Sequence, residues 1–194
     1  MRNTLPIMLH IIPSDKSKEG LLDKKKFIAP VFNGDIGLRL LEERDIEVIR
    51  AWRNRDDTRF FFKDSAIVTS DQQQKWFASY QEKKDDYYFV ILWLSGQTYK
   101  PVGGVSLYDI ADGKAEYGRC MIGDESVRRR GIMVLASRLL FEIAQNQLGV
   151  TELFLDVFNS NLRAIHGYEK MGFTKVSDDQ TFSTMKLYLQ GNKR

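Results

Sequence analysis

Residues 161–173 read NLRAIHGYEKMGF, and the interpretation of the whole chain begins from this stretch. The preceding residues, 151–158, are apolar on both faces of an extended chain, which is typical of a buried central strand. Asn161 can begin a helix, and Gly172 can end it. The sequence therefore predicts a buried strand followed at once by a helix over 161–171.

The segments on either side of this unit carry two different hydrophobic periods. Residues 131–148 are apolar at every third or fourth position, which predicts a long amphipathic helix that ends at Gly149. Three apolar runs joined by short Gly-containing turns predict an antiparallel meander over 87–94, 101–110 and 115–122. Two more strands are predicted over 173–176 and 184–189.

The amino-terminal half adds one strand and two helices to this arrangement. Residues 36–41 predict the first strand, Asp45 can cap a first helix, and Ser70 with Gln73 has the spacing of a capping box for a second. The predicted fold class is α/β, with a mixed, mostly antiparallel central sheet flanked by helices.

Length and composition exclude several classes of protein. The 194 residues suit a single domain at about 150 residues per domain, so we assign 1–35 to an amino-terminal extension and 36–194 to the domain. One cysteine and two histidines exclude a disulfide scaffold and argue against a metal site. A net charge of +3 predicts no nucleic-acid partner. The longest apolar run is well short of the ~20 residues of a membrane span, which predicts a cytoplasmic protein.

A cluster of arginines precedes the long helix. Arg128, Arg129 and Arg130 stand directly before Gly131, where a strand leads into the helix. The first amides of a helix are unpaired and its dipole places partial positive charge there, so a phosphate group is a natural ligand. The alternative is an ordinary loop with solvated arginines.

These two segments together resemble one family. The pattern Asn-x-x-Ala-x-x-x-Tyr-Glu-Lys-x-Gly-Phe from Asn161 resembles the carboxyl-terminal motif of the GNAT (GCN5-related) N-acetyltransferase superfamily. Arg128-x-x-Gly131 resembles the loop with which that superfamily binds the pyrophosphate of acyl-CoA. The resemblance spans residues 36–190. Within it, Trp52-Arg53-Asn54 is similar to the branch of ribosomal-protein N-terminal acetyltransferases and nucleotide-linked amino-sugar acetyltransferases.

The resemblance implies that acetyl-CoA is the co-substrate and lies in a V-shaped cleft between the strand ending near Ile122 and the strand over 153–158. The implied coenzyme-binding residues are Cys120, Met121, Ile122, Arg128, Arg129, Arg130, Gly131, Ile132, Met133, Val134 and Asn161. Met133 departs from the family pattern, which has a small residue there. Its side chain either crowds the coenzyme or points into the core.

Two residues are predicted to carry proton transfer. A phenol near the sulfur can protonate a leaving thiolate, and the motif assigns this acid role to Tyr168. Glu116 is the candidate base for the amine, because strand alternation places it on one face with Gly118 and Cys120. The alternatives are a core tyrosine and a solvent-facing carboxylate. Cys120 itself is expected to be a buried small residue rather than a nucleophile.

The predicted function is therefore the transfer of an acetyl group to a primary amine by direct attack. The best candidate for the acceptor is a small molecule such as a nucleotide-linked amino sugar, because the stretch Phe60-Phe61-Phe62 can stack on a base. These aromatics are otherwise core or interface residues, and a homodimer is possible. The alternatives are a protein N-terminal acetyltransferase and, because of Met133, a catalytically weak acyl-CoA-binding protein.

Overall fold

The computed structural model describes residues 25–189, which form one eight-stranded sheet with five α-helices. The strands are β1 (Val31–Asn33), β2 (Ile36–Leu40), β3 (Tyr87–Ser95), β4 (Thr98–Ala111), β5 (Lys114–Ile122), β6 (Glu152–Phe158), β7 (Thr174–Asp178) and β8 (Phe182–Tyr188). The helices are α1 (Ile46–Arg53), α2 (Asp56–Arg59), α3 (Ser70–Glu82), α4 (Ile132–Leu148) and α5 (Leu162–Met171).

The sheet confirms the predicted fold class. Its spatial order is β1-β2-β3-β4-β5-β6-β8-β7, and every neighbouring pair is antiparallel except β5 and β6. The long connection through α4 makes this parallel pair possible, because parallel strands need a crossover rather than a tight turn.

The sheet separates two apolar cores. On the face covered by α4 and α5, which we call the back face, Leu107, Tyr117 and Leu140 belong to one large buried cluster. On the opposite face, which we call the front face, Tyr88 and Met121 belong to a smaller cluster with α1 and α3. The continuous apolar run of β3 reflects this burial on both sides.

Local details differ from the sequence prediction at both predicted helix caps. The carboxylate of Asp45 does not cap α1, because it pairs with the Arg39 guanidinium at 2.5 and 2.8 Å. The capping box of α3 lies one residue earlier than predicted: Thr69 has the extended backbone of an N-cap, and its hydroxyl accepts the Gln72 amide at 3.2 Å.

The segment assigned to an extension contributes structure to the sheet. Strand β1 pairs with β2, and Ile28 is buried in the back-face cluster. Residues 1–24 lie outside the described part of the chain, and the boundary at 35/36 stays a prediction.

Strands β5 and β6 separate after a short contact. They pair only from Lys114 to Glu116, although β5 runs on to Ile122 and β6 to Phe158. Among residues 25–189, this edge of β5 therefore has no strand partner beyond Glu116, and the separation leaves a V-shaped gap. Backbone groups on such an edge need other hydrogen-bond partners, which makes the gap a natural place for an extended polar ligand.

A β-bulge interrupts β5 beside this gap. Gly104 pairs with Met121 and Ser106 with Gly118, so two residues of β5 oppose one of β4. One of these two, Arg119, has the left-handed backbone, with φ 51°. A bulge re-aims the side chains that follow it, so strict alternation fails from this position onward.

The close contact between Gly123, just after β5, and Trp52 in α1 predicts that a larger residue at position 123 destabilises the fold. A Cβ at position 123 would overlap the Trp52 indole. We expect Gly123→Ala to lower the free energy of unfolding by about 1–3 kcal/mol, measured by urea denaturation.

The matched control is Gly167→Ala, because nothing lies within 4 Å of the added Cβ in α5. It should raise stability by about 0.5–1 kcal/mol, as alanine in a helix does. An unchanged midpoint in the Gly123 variant would show that the indole moves aside freely.

Candidate active site

The back-face wall of the gap is built from two side chains of β5 and one of α5. Cys120 packs with Tyr117 and Tyr168 on the back-face cluster, and the two tyrosine rings meet edge to face at 6.0 Å. Burial raises the pKa of Tyr168 well above its usual range, and the neighbouring thiol adds to this effect. The Tyr168 phenol therefore keeps its proton at neutral pH.

Cys120 is held in its thiol form. Its Sγ lies 3.5 Å from the carbonyl oxygen of Gly118, and burial raises the pKa of the thiol to about 12. Because the thiolate is the nucleophile, this environment makes a covalent role unfavourable and agrees with the expected buried small residue.

The arginine cluster forms a strained turn before α4. Arg129 and Gly131 both have left-handed backbones, with φ 66° and 72°. The Arg129 and Arg130 side chains are exposed and have no ion-pair partner among residues 25–189. The first amides of α4 lie beyond the reach of intrahelical acceptors, so this turn fits an anion.

Arg128 is already engaged on the side of the turn that faces α2. Its guanidinium lies 2.8 Å from the Asp57 carboxylate and 3.8 Å from that of Glu125. Arg55 joins the same cluster and donates to the Gly123 carbonyl oxygen at 3.0 Å. Arg128 therefore ties the predicted coenzyme loop to α2, which sequence reasoning did not foresee.

The structure decides between the two orientations considered for Met133. Its sulfur accepts a hydrogen bond from the Tyr117 hydroxyl at 3.6 Å, and its carbonyl oxygen accepts the Ser137 hydroxyl at 2.6 Å. The side chain points into the back-face core. It therefore does not occupy the space outside the helix terminus.

Asn161 begins α5, as predicted. Its side-chain oxygen accepts the Ala164 amide at 3.2 Å, while its side-chain NH₂ has no hydrogen-bond partner among the described residues. The oxygen is committed to the helix, so any contact from this side chain to a ligand would be made by the NH₂ group.

The bulge corrects the predicted position of Glu116 relative to Cys120. Glu116 and Gly118 lie on the front face beneath Tyr108, whose hydroxyl donates to the Glu116 carboxylate at 2.5 Å. Cys120 faces the back-face core instead. The prediction that Glu116 and Cys120 share a face was wrong, because one extra residue shifts the alternation.

The Arg119 side chain is held in place on the front face by an ion pair and two aromatic rings. Its guanidinium makes two hydrogen bonds to the buried Asp86 carboxylate, at 2.6 and 3.0 Å. It also lies between two rings, 4.3 Å from the centroid of Tyr108 and 5.7 Å from that of Trp76. Sequence reasoning missed this residue, although an arginine between Gly118 and Cys120 in a predicted strand was a visible signal.

A cavity of about 360 Å³ lies on the front face between the helices and the sheet. It is lined by Ile49, Arg53, Phe62, Asp64, Ala66, Ile67, Val68, Gln72, Gln73, Trp76, Tyr88, Arg119 and Met121. Met121 belongs both to this cavity and to the strand that borders the gap. Asn54 holds the adjoining loop through two hydrogen bonds to Val68, both 2.8 Å long.

The three phenylalanines predicted to shape the acceptor site lie in two different environments. Phe62 lines the cavity, whereas Phe60 and Phe61 are exposed and do not line it. The Arg59 guanidinium lies 4.0 Å from the ring of Phe60.

Within residues 25–189, no group of three or more histidine, cysteine or acidic side chains could hold a metal ion. No helix in the same range has the length and apolar character to cross a membrane.

Comparison with known proteins assigns the family. Residues 35–174 match the family model of the Acetyltransferase (GNAT) domain, which covers well over half of the chain. The chain therefore belongs to the GNAT acetyltransferase family. No curated protein matches it by sequence.

Several solved structures share the fold at low sequence identity. Spermidine N-acetyltransferase from Vibrio cholerae, in complex with CoA and spermine, is 19% identical, with TM-score 0.72 over 81% of this chain and 97% of that one. FdhC, a nucleotide-linked sugar GNAT, is 23% identical, with TM-score 0.69 over 84% and 90%. The aminoglycoside acetyltransferase AAC(6')-Ib, in complex with coenzyme A, is 23% identical, with TM-score 0.65 over 79% and 94%.

The environment of the single cysteine predicts low reactivity toward thiol reagents. With a pKa of about 12, the thiolate fraction of Cys120 at pH 8 is about a thousandfold or more below that of a free cysteine. We expect native protein to react correspondingly slowly with iodoacetamide at pH 8, followed by intact mass.

Protein unfolded in guanidinium should take up one equivalent rapidly, which is the control for reagent and sequence. A native rate close to the unfolded rate would contradict the buried, protonated thiol.

Proposed function

We propose that this chain is an acetyl-CoA-dependent N-acetyltransferase that acetylates the primary amine of a small molecule by direct attack. The observation that carries the proposal is the separation of β5 and β6 after three paired residues, beside a helix terminus with two arginines that make no ion pair among residues 25–189. An open strand edge suits the amide-containing arm of the coenzyme. The helix terminus suits its pyrophosphate.

The residues present fit acetyl-CoA, which would supply the activated acetyl group as a thioester. The β5 backbone at Cys120, Met121 and Ile122 would bind the pantetheine arm, and the side-chain NH₂ of Asn161 is free to contact it. Arg129, Arg130 and the amides from Gly131 to Val134 would bind the pyrophosphate. The inward side chain of Met133 removes the reason for considering a catalytically weak protein.

The chemistry follows from the groups on either side of the gap. The amine nitrogen forms a bond to the acetyl carbon as the carbon–sulfur bond breaks, and a strand amide near Met121 would stabilise the negative charge on the carbonyl oxygen. Tyr168 would donate its hydrogen bond, and finally its proton, to the departing sulfur. Glu116 would receive the amine proton, through water or through the hydroxyl of Tyr108 that it already binds.

The front-face cavity supports an amino-sugar acceptor linked to a nucleotide. It combines an aromatic ring, Trp76, with the guanidinium of Arg53, which makes no ion pair among residues 25–189, and that of Arg119, which already binds Asp86. Aromatic rings stack on bases and sugars, and guanidinium groups bind phosphates. Asp64 is the one acidic side chain among the lining residues, which makes the cavity a poor match for a polycation.

A homodimer, the cytoplasmic location and the absence of nucleic-acid and membrane partners stay predictions. The exposed rings of Phe60 and Phe61 are the apolar surface that a second copy would cover.

The test of the function is CoA release from acetyl-CoA with a panel of amines. The panel contains a nucleotide-linked amino sugar, the matching free amino sugar, spermidine and a short peptide with a free N-terminus. We expect the nucleotide-linked sugar to give the highest kcat/KM. Turnover only with the peptide would favour a protein N-terminal acetyltransferase, and binding of CoA without turnover of any primary amine would overturn the proposal.

Substitution of Tyr168 tests the acid role. Tyr168→Phe keeps the ring that packs on Tyr117 and removes only the hydroxyl, so kcat should fall about a hundredfold. The affinity for acetyl-CoA, measured by calorimetry, should stay the same. Tyr188→Phe, which alters an exposed hydroxyl, is the matched control. An unchanged kcat in the Tyr168 variant would remove this residue as the acid.

A further inference from the structure

Three buried side-chain polar atoms have no hydrogen-bond partner among the described residues, and none belongs to the back-face core. They are Nη1 of Arg53, Oη of Tyr88 and Oγ of Ser106. Tyr88 and Ser106 are cross-strand partners in β3 and β4. In the back-face core, by contrast, the Ser137 hydroxyl donates to the Met133 carbonyl oxygen and accepts the Tyr117 hydroxyl, each at 2.6 Å. Unpaired buried polar groups are costly, so this concentration needs a physical reason.

Arg53 is a partly buried cation without an anionic partner. Its Nη2 donates to the carbonyl oxygen of Asp64, and its guanidinium lies 4.3 Å from the ring centroid of Phe62. Among residues 25–189 no carboxylate lies within ion-pair distance of it. Burial lowers its pKa, and the Asp64 carboxylate, which is too distant for an ion pair, offsets only part of this effect.

The neighbouring arginines show that pairing is the rule on this side of the molecule. Arg55 pairs with Asp57, Arg59 pairs with Asp56 at 2.7 Å, and Arg119 pairs with Asp86. Arg53 lines the cavity and lacks such a partner. Within residues 25–189, Arg53 therefore differs from these neighbours in making no ion pair, although Asp64 lines the same cavity.

Tyr88 brings a second donor to the same cavity. The residue is 2% exposed, and burial raises the pKa of its phenol, so the hydroxyl keeps its proton. The hydroxyl lies against Gly104, where a side chain would collide with it. Gly104 pairs with Met121 across the sheet, so this donor stands beside the strand that borders the gap.

We infer that Arg53 and Tyr88 bind an anionic oxygen group of the acceptor, a phosphate or a carboxylate, and select acceptors that carry one. The guanidinium supplies charge and the phenol a neutral donor, and both lack the acceptor oxygens that such a group provides. This inference rests on the proposed function only in taking the bound molecule to be the acceptor.

The same donors disfavour a polyamine. Protonated amines have hydrogens to donate and no acceptor lone pairs, so they would leave Nη1 of Arg53 unpaired and place like charges together. The selected acceptor therefore carries its reactive amine at one end and its anionic group at the other.

The test uses the full chain saturated with CoA, which occupies the predicted pyrophosphate loop. Isothermal titration calorimetry with inorganic pyrophosphate and, separately, with succinate distinguishes a phosphate site from a carboxylate site, and spermidine is the cationic comparison. We expect one of the two anions to bind at a single site, and Arg53→Gln to weaken that binding by about tenfold to a hundredfold.

Four further variants sharpen the result. Arg53→Lys keeps the charge and should retain most of the affinity, and Tyr88→Phe should weaken it severalfold without loss of the ring. The matched controls are Arg44→Gln, which removes an exposed arginine, and Tyr188→Phe. If circular dichroism shows that Arg53→Gln does not fold, the comparison of Tyr88→Phe with Tyr188→Phe still tests the anion site.

Equal anion affinity in wild type and the Arg53 and Tyr88 variants would overturn the inference, as would spermidine binding more tightly than either anion. Its failure is distinguishable from failure of the proposed function. Anion binding that depends on Arg53, without acetylation of any amine, would support the anion site and contradict the proposed acetyltransferase activity. Acetylation with no preference for anionic acceptors would support the acetyltransferase activity and contradict the anion site.

Discussion

The buried ion pair between Arg119 and Asp86 is the contact on which the front of the molecule depends. It ties the bulged residue of β5 to the start of β3, and it holds the guanidinium between the Tyr108 and Trp76 rings. A left-handed backbone at a non-glycine residue costs about 1–3 kcal/mol and persists only where the surroundings enforce it. The bidentate pair fixes the side chain of this bulged residue, and the bulge sets the direction of Cys120 and Met121.

The two faces of the sheet have different chemistry as a result. The back face is a saturated core, in which hydroxyl and sulfur groups of Tyr117, Ser137 and Met133 pair with one another. The front face keeps two buried donors, Nη1 of Arg53 and the Tyr88 hydroxyl, that have no partner among residues 25–189, and both residues line a cavity. Strand β5 borders the gap and carries residues of both faces, with Cys120 on the back face and Met121 on the front face. Acid chemistry at Tyr168 and acceptor recognition are thus proposed to meet at one strand.

Most of the architecture could be predicted from residue patterns because each pattern acts locally. Apolar spacing predicted α4, a doubly apolar run predicted β6, and Asn161 predicted the start of α5. The placement of Glu116 and Cys120 on one face was wrong because strand alternation assumes a regular strand. The bulged residue Arg119 binds Asp86, which is thirty-three positions away in the sequence. The inward turn of Met133 likewise depends on Tyr117, a residue in another element.

The sequence by itself determined the family, the order of the elements and the turn that presents arginines before α4, since these rest on neighbouring residues and local backbone preferences. Only the tertiary structure decided which charges are neutralised. Arg128 is bound by Asp57, Arg119 by Asp86, and Arg53 by no carboxylate among the described residues. Charge pairing depends on distances between elements distant in sequence. No single stretch of residues could therefore show that Arg53 remains available.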